Sequence, residues 1–223
     1  MLKDNIAYLL KFAPKEAYID DLMDGHLYMN AAGYYHGLPG EQGDPLEASM
    51  TPGACLYGYT SLPIYCMYTV RENDIVDNTV KIPMRMIREF GCADGWIGIV
   101  QYDSFARLAD RHIADGGSIY THGPISYGVP GPKLIREIFE GIPHNLVTKT
   151  PKYAYQREYR IIGSQPVECR LMPDETNPGC KIEEYDHTEL DLGSSLADFS
   201  WKVSVSSLEE SQDGLMLKLP HRA

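Results

Sequence analysis

The residues whose types and spacing best suit chemistry sit in one short stretch, PKYAYQREYRII, at positions 151 to 162. Side chains alternate along an extended backbone. A strand over 152–162 therefore puts Gln156, Glu158 and Arg160 on one face with Ala154 and Ile162, and Tyr153, Tyr155, Tyr159 and Ile161 on the other. Neighbours on one face are roughly 7 Å apart at the backbone, so amide, carboxylate and guanidinium project side by side. Two readings fit. One is an exposed sheet face with cross-strand ion pairs. In the other the face lines a cleft, where Glu158 stabilises developing positive charge and Gln156 orients a ligand.

A second candidate region is 33–53, GYYHGLPGEQGDPLEASMTPG, which is rich in Gly and Pro and reads as a long loop. Loops of that length in a compact domain are commonly functional. Tyr34, Tyr35, His36, Glu41, Asp44 and Glu47 favour an ordered one, and Tyr28 precedes it in the strand-like HLYMN. The other six histidines are scattered and read as structural or exposed. There is no phosphate-loop, dinucleotide or nucleophile-elbow glycine pattern. Neither Cys nor His falls in ligand spacing, so no metal is expected. A Mg²⁺ nuclease built from Asp44, Glu47 and Glu158 with Lys149 or Lys152 ranks last, because D…E-x-K spacing is missing.

The elements that must position these residues follow from patterning. Residues 4–12 read as a short strand or helix ending before Pro14. Residues 15–24 read as a helix stopped by Gly25. The runs 63–70 and 95–102 are apolar enough for buried strands. Helices are predicted over 82–90, over 104–113 with Asp103 or Ser104 as cap, and over 132–140. In the second of these Phe105, Leu108, Ala109 and His112 share a face. Short strands follow over 117–128, and FSWKVSVS alternates Phe199, Trp201, Val203 and Val205 as a strand. The mixture lacks βαβ alternation. It predicts an α+β fold with a mixed, largely antiparallel sheet and a few short helices. The expected division is a core domain over 1–165 and an extension over 166–223 that adds a strand packed on the core.

Bulk properties narrow the function classes. The chain has 223 residues, 43% hydrophobic and 23% charged, which suits one domain of moderate size. A net charge of -11 disfavours non-specific binding to nucleic-acid backbones. Sixteen tyrosines against five phenylalanines place many rings at a cleft rim or an interface. Five cysteines without C-x-x-C pairs, Asp4, Lys11 and Lys15 interrupting the N-terminal apolar run, and no membrane-length segment predict a reduced, soluble, cytoplasmic protein. A homo-oligomer stays open.

Two resemblances add to this. LLKF, DDLMDGHLYMNAAGYY, QGDPLEA, IYCMYTV, GWIGIVQYDSFARLAD and YAYQREYRII, in that order across about residues 8 to 163, resemble a bacterial and phage family labelled abortive-infection-like. That resemblance implies phage–host conflict rather than a reaction. Gln156-x-Glu158 before an apolar strand end is similar to the Gln/Glu-x-Glu motif of ADP-ribosyltransferases. It implies NAD as cofactor, Glu158 stabilising an oxocarbenium-like state as nicotinamide leaves, and Gln156 placing the acceptor. Tyr28, Tyr34, Tyr35, His36 and Arg160 would contact the ligand. Lys11 stands where those enzymes carry Arg or His at the end of the first strand, and no Ser-x-Ser lies between it and Gln156. The alternative is a non-catalytic inhibitor or ligand sensor that binds a host or phage partner through a tyrosine-rich acidic surface.

Overall fold

The apolar run IAYLLKFA forms β1 (Ile6–Ala13), buried along most of its length as a central strand must be. Pro14 ends it. Helix α1 (Glu16–Met23) turns Ile19 and Leu22 inward. It stops at Gly25, which takes φ +92 and lies so close to the Ser194 carbonyl that a Cβ would meet it at 2.4 Å. Strand β2 (His26–Ala31) alternates and buries Leu27, Met29 and Ala31. The computed structural model describes residues 5–36, 38, 49–51, 54–55, 60–90, 92–128, 146–173 and 181–220. The helix expected over 132–140, and most of the loop expected over 33–53, lie outside them.

The remaining main elements are β3 (Pro63–Arg71), β4 (Thr79–Pro83), α2 (Met84–Glu89), β5 (Trp96–Gln101), α3 (Tyr102–Ala114), β6 (Ile119–Pro124), β7 (Glu158–Gly163), β8 (His187–Asp191), β9 (Ser200–Ser204) and β10 (Gly214–Lys218). Eight strands make the central sheet in the order β8–β2–β3–β1–β5–β9, with β7 on the other edge of β3 and β6 beyond it. Every pairing in this sheet is antiparallel. The fold is α+β with a largely antiparallel sheet. The C-terminal segments β8 and β9 pair directly with β2 and β5.

The central sheet is covered on both faces. On one, α3 packs Phe105, Leu108 and Ala109 against Leu9, Met67, Tyr159 and Ile161. On the other, Leu10, Tyr68, Val70, Ile97 and Ile99 meet Val80, Ile82, Met86, Ile87, Leu215 and Leu217. These last come from a small antiparallel sheet built on β4 and β10, and from α2. Among the described residues no helix is long and apolar enough to cross a membrane.

Local expectations changed at four places. Residues 82 and 83 belong to β4, and the helix begins only at Met84, because Pro83 keeps extended ψ. Helix α3 begins at Tyr102 with Gln101 as N-cap and no side-chain cap, so Asp103 and Ser104 lie inside its first turn. There the charge of Asp103 favours the helix dipole. His112 is only half-buried at the end of the apolar face, and its Nε2 accepts the Ser118 N–H at 2.9 Å. Most consequential, 152–162 is not one strand. Pro151–Gln156 is a 3₁₀ turn, Arg157 is left-handed at φ 43 and ψ 48, and only then does β7 start. A proline at the head of the turn has no N–H for a ladder. Tyr155 consequently leaves the face of Tyr159 and bonds Glu89 of α2 instead.

Candidate functional site

The site forms where the central sheet divides. Strand β1 pairs with β3 only as far as Leu10 opposite Tyr68, and β2 takes up the same edge only at Asn30 opposite Ile64. Residues 65–67 of β3 lie between the two partners. Lys11 follows the point of departure, and its Nζ donates to the Cys66 carbonyl at 3.1 Å, so that orphan acceptor is satisfied. The same Nζ lies 3.9 Å from the centre of the Tyr65 ring.

A cavity of about 220 Å³ opens in this gap. Phe12, Tyr68, Met86 and Phe90 wall one side, Tyr34, Tyr35 and Leu38 another, and Lys11, Lys149, Gln156, Glu158 and Arg160 supply the polar lining. Phe12 stacks on Phe90 at 5.8 Å and meets Tyr68 edge-on at 6.1 Å, which fixes the aromatic wall.

The polar floor is an ion cluster around Glu158. Lys149 Nζ lies 2.5 Å from Glu158 Oε1 and donates to Gln156 Oε1 at 3.1 Å. Arg160 donates to Glu158 Oε2 through Nε at 3.1 Å and Nη2 at 2.8 Å, and its Nη1 holds the Leu146 carbonyl at 2.7 Å. All four side chains are buried. The Glu158 backbone N–H donates to Tyr127 Oη at 2.7 Å. Burial alone pushes the Glu158 carboxyl up, but Arg160 and Lys149 outweigh it and hold the group at about 2. Burial pushes the Cys66 thiol up to about 11, which keeps it protonated and poorly nucleophilic.

The left-handed Arg157 makes this possible. Its carbonyl accepts both the N–H and the hydroxyl of Thr69 at 2.9 Å, and its Nη1 pairs with Asp74 at 2.6 Å. These contacts hold a backbone conformation that non-glycine residues seldom adopt. The kink delivers Gln156 from the end of the 3₁₀ turn to the same cavity as Glu158 from the start of β7. Helix α2 is tied across the turn: Tyr155 Oη donates to Glu89 at 2.7 Å, and the Arg85 guanidinium sits 3.5 Å over the Tyr155 ring.

The structure thus gathers five of the residues singled out from sequence, Gln156, Glu158, Arg160, Tyr34 and Tyr35. Tyr28 is not in the cavity lining; half-exposed on β2, it stacks on His187 at 4.5 Å. The side chain of His36, and Asp44 and Glu47, lie outside the described residues. Lys152 is exposed and packs over Tyr153 at 4.4 Å. Sequence reasoning gave Lys149 only a minor role and passed over Lys11 as a site residue. The signal for Lys11 was present, since it is the one charged residue within the apolar strand IAYLLKFA. No protein-family model, curated protein or solved structure matches the chain.

Proposed function

We propose that this protein is a ligand-binding sensor whose cavity takes a small organic anion with a flat apolar part. The observation that carries this reading is the make-up of the floor: Lys11, Lys149 and Arg160 line the cavity beside the Glu158 carboxylate, behind aromatic walls. Cationic side chains that line an aromatic-walled cavity are suited to receive an anion through charge-assisted hydrogen bonds. The volume of about 220 Å³ is below the roughly 300–1,000 Å³ of pockets that enclose drug-sized molecules, so the ligand is small. The resemblance to abortive-infection-like proteins supplies a context of phage–host conflict. Beside the cavity, the exposed rings of Tyr18, Tyr28 and Tyr34 lie near Asp186 and Glu189 and offer a face for a partner. Thermal unfolding with aromatic carboxylates and nucleoside monophosphates tests the reading. A raised midpoint that R160M and K149M abolish supports it. No shift with any of these anions at millimolar concentration removes it.

A second reading, NAD cleavage by Glu158, draws on the convergence of Gln156 and Glu158 with Tyr34 and Tyr35 in one cavity. Only the nicotinamide–ribose end of NAD would fit this volume. Both Glu158 oxygens already accept from cations, so one contact would have to yield before the carboxylate could face an oxocarbenium-like centre. Nicotinamide release from labelled NAD, lost in E158Q, would establish this reading in place of the first.

A further inference from the structure

We propose that Lys11 is an imine-forming residue that captures a small aldehyde or ketone bearing a carboxylate or phosphate. This rests on the anion-binding reading of the cavity and names the class of its ligand. The argument begins with partners. Lys149 and Arg160 each pair with Glu158. Among the described residues Lys11 Nζ has the Cys66 carbonyl and the Tyr65 ring as its near partners, and no carboxylate within ion-pair reach. It lines the same cavity, at the point where β1 leaves β3.

The groups that bear on its charge are Tyr65 and Cys66 of β3, Cys92, and Glu158 of β7. Burial pushes the Lys11 ammonium below the usual lysine range, and Cys66, Cys92 and Glu158 oppose this only in part. An amine so placed is neutral more often at neutral pH, and the neutral amine is the nucleophile. Its lone pair adds to the carbonyl carbon while the C=O π electrons and a proton go to oxygen. Water then leaves as C=N forms, so the step needs no oxidant or reductant. The cations of the floor receive the anionic group, and the rings of Phe12, Tyr68 and Phe90 cover the remainder.

The experiment uses the full chain with glyoxylate and sodium cyanoborohydride, which reduces an imine to a stable carboxymethyl group, followed by peptide mapping. Lys11 is expected to label severalfold faster than the exposed Lys81 and Lys202, since it lines the cavity and burial raises its share of free amine. Acetate, an anion without a reactive carbonyl, should slow that labelling, and K11R should lose the fast adduct. Labelling of Lys11 no faster than of Lys81 and Lys202 in the folded wild type overturns the proposal, whether or not K11R folds. If acetate and glyoxylate both raise the melting midpoint without a Lys11 adduct, imine formation fails and anion binding stands. If neither raises it and no adduct forms, both fail.

Discussion

Two three-membered ion clusters in this molecule have nearly the same contact distances and opposite surroundings. In the cavity Glu158 sits between Lys149 at 2.5 Å and Arg160 at 2.8 Å, with side chains 7%, 7% and 1% exposed. On the surface Lys202 sits between Asp20 at 2.5 Å and Glu16 at 2.6 Å, with side chains 31%, 48% and 44% exposed. Distance does not separate them; water does. In the cavity the charges interact through a poorly screening interior and have no alternative partner in solvent. On the surface the same geometry competes with hydration, side-chain entropy and salt. The described members of the buried cluster are two cations around one carboxylate, and those of the exposed one are two carboxylates around one cation.

The sharpest way to break the comparison is E158Q. It preserves shape and deprives the buried Lys149 and Arg160 of the Glu158 charge. The expected loss is about 3–5 kcal/mol in denaturant unfolding, with the slope unchanged. A loss under about 1 kcal/mol would put the two clusters in one class. Acid titration tests the same point without mutation. The folded carboxyl, at about 2, lies below its ordinary value of 4.5. Its contribution is therefore complete above about pH 4.5 and is lost as the pH falls through 2. Wild-type stability should decline across that window, and the gap between wild type and E158Q should close over it.

The difference between the clusters also explains what the sequence could and could not disclose. Strands β3, β5 and β9 and helices α1 and α3 were legible because each carries an apolar pattern whose period is set by one element, whereas β1 reads equally as strand or helix. The exchange of Glu158 and Arg160 with the tyrosine face was legible for the same reason: period-two alternation holds within β7, where Tyr159 and Ile161 are fully buried on the far side. The 3₁₀ turn over 151–156 was not. Its residues Tyr153 and Tyr155 have strand-like propensity, and the contacts that overrule it come from Thr69 and Asp74, more than 80 positions away. Lys149 was underweighted because its partners Gln156 and Glu158 meet it only after that turn is made. Sequence spacing showed a carboxylate face. It did not show that two cations close over it.

Between the extremes lies the pair Arg157–Asp74, 39% and 23% exposed. Asp74 also accepts the Arg71 backbone N–H at 2.9 Å as the cap of a short 3₁₀ turn. Burial pushes the Asp74 carboxyl up, but the bonds from Arg157 and Arg71 outweigh it and hold the group below its ordinary value. D74A removes a cap and half of a partly screened pair, for an expected loss of about 1–2 kcal/mol, read from the denaturant midpoint. It also removes one of the contacts that hold Arg157, the residue that kinks the chain ahead of Glu158. The variant should therefore weaken anion binding in the cavity as well, although Asp74 does not line it.

The smallest effect is expected at the surface cluster, and it completes the series. K202A removes the centre of a cluster whose distances match those around Glu158, yet Lys202 is held above its ordinary value only by bonds to Asp20 and Glu16 in open solvent. Without Lys202 those two carboxylates are rehydrated rather than stranded. The denaturant midpoint should stay within measurement error of wild type, and raising the salt should bring wild type and variant closer still, because screened surface charges lose what little they contribute. A midpoint shift comparable to that of E158Q, persisting at high salt, would mean that contact geometry and not burial sets the strength of both clusters. The cationic cavity floor would then lose its special claim to an outside anion.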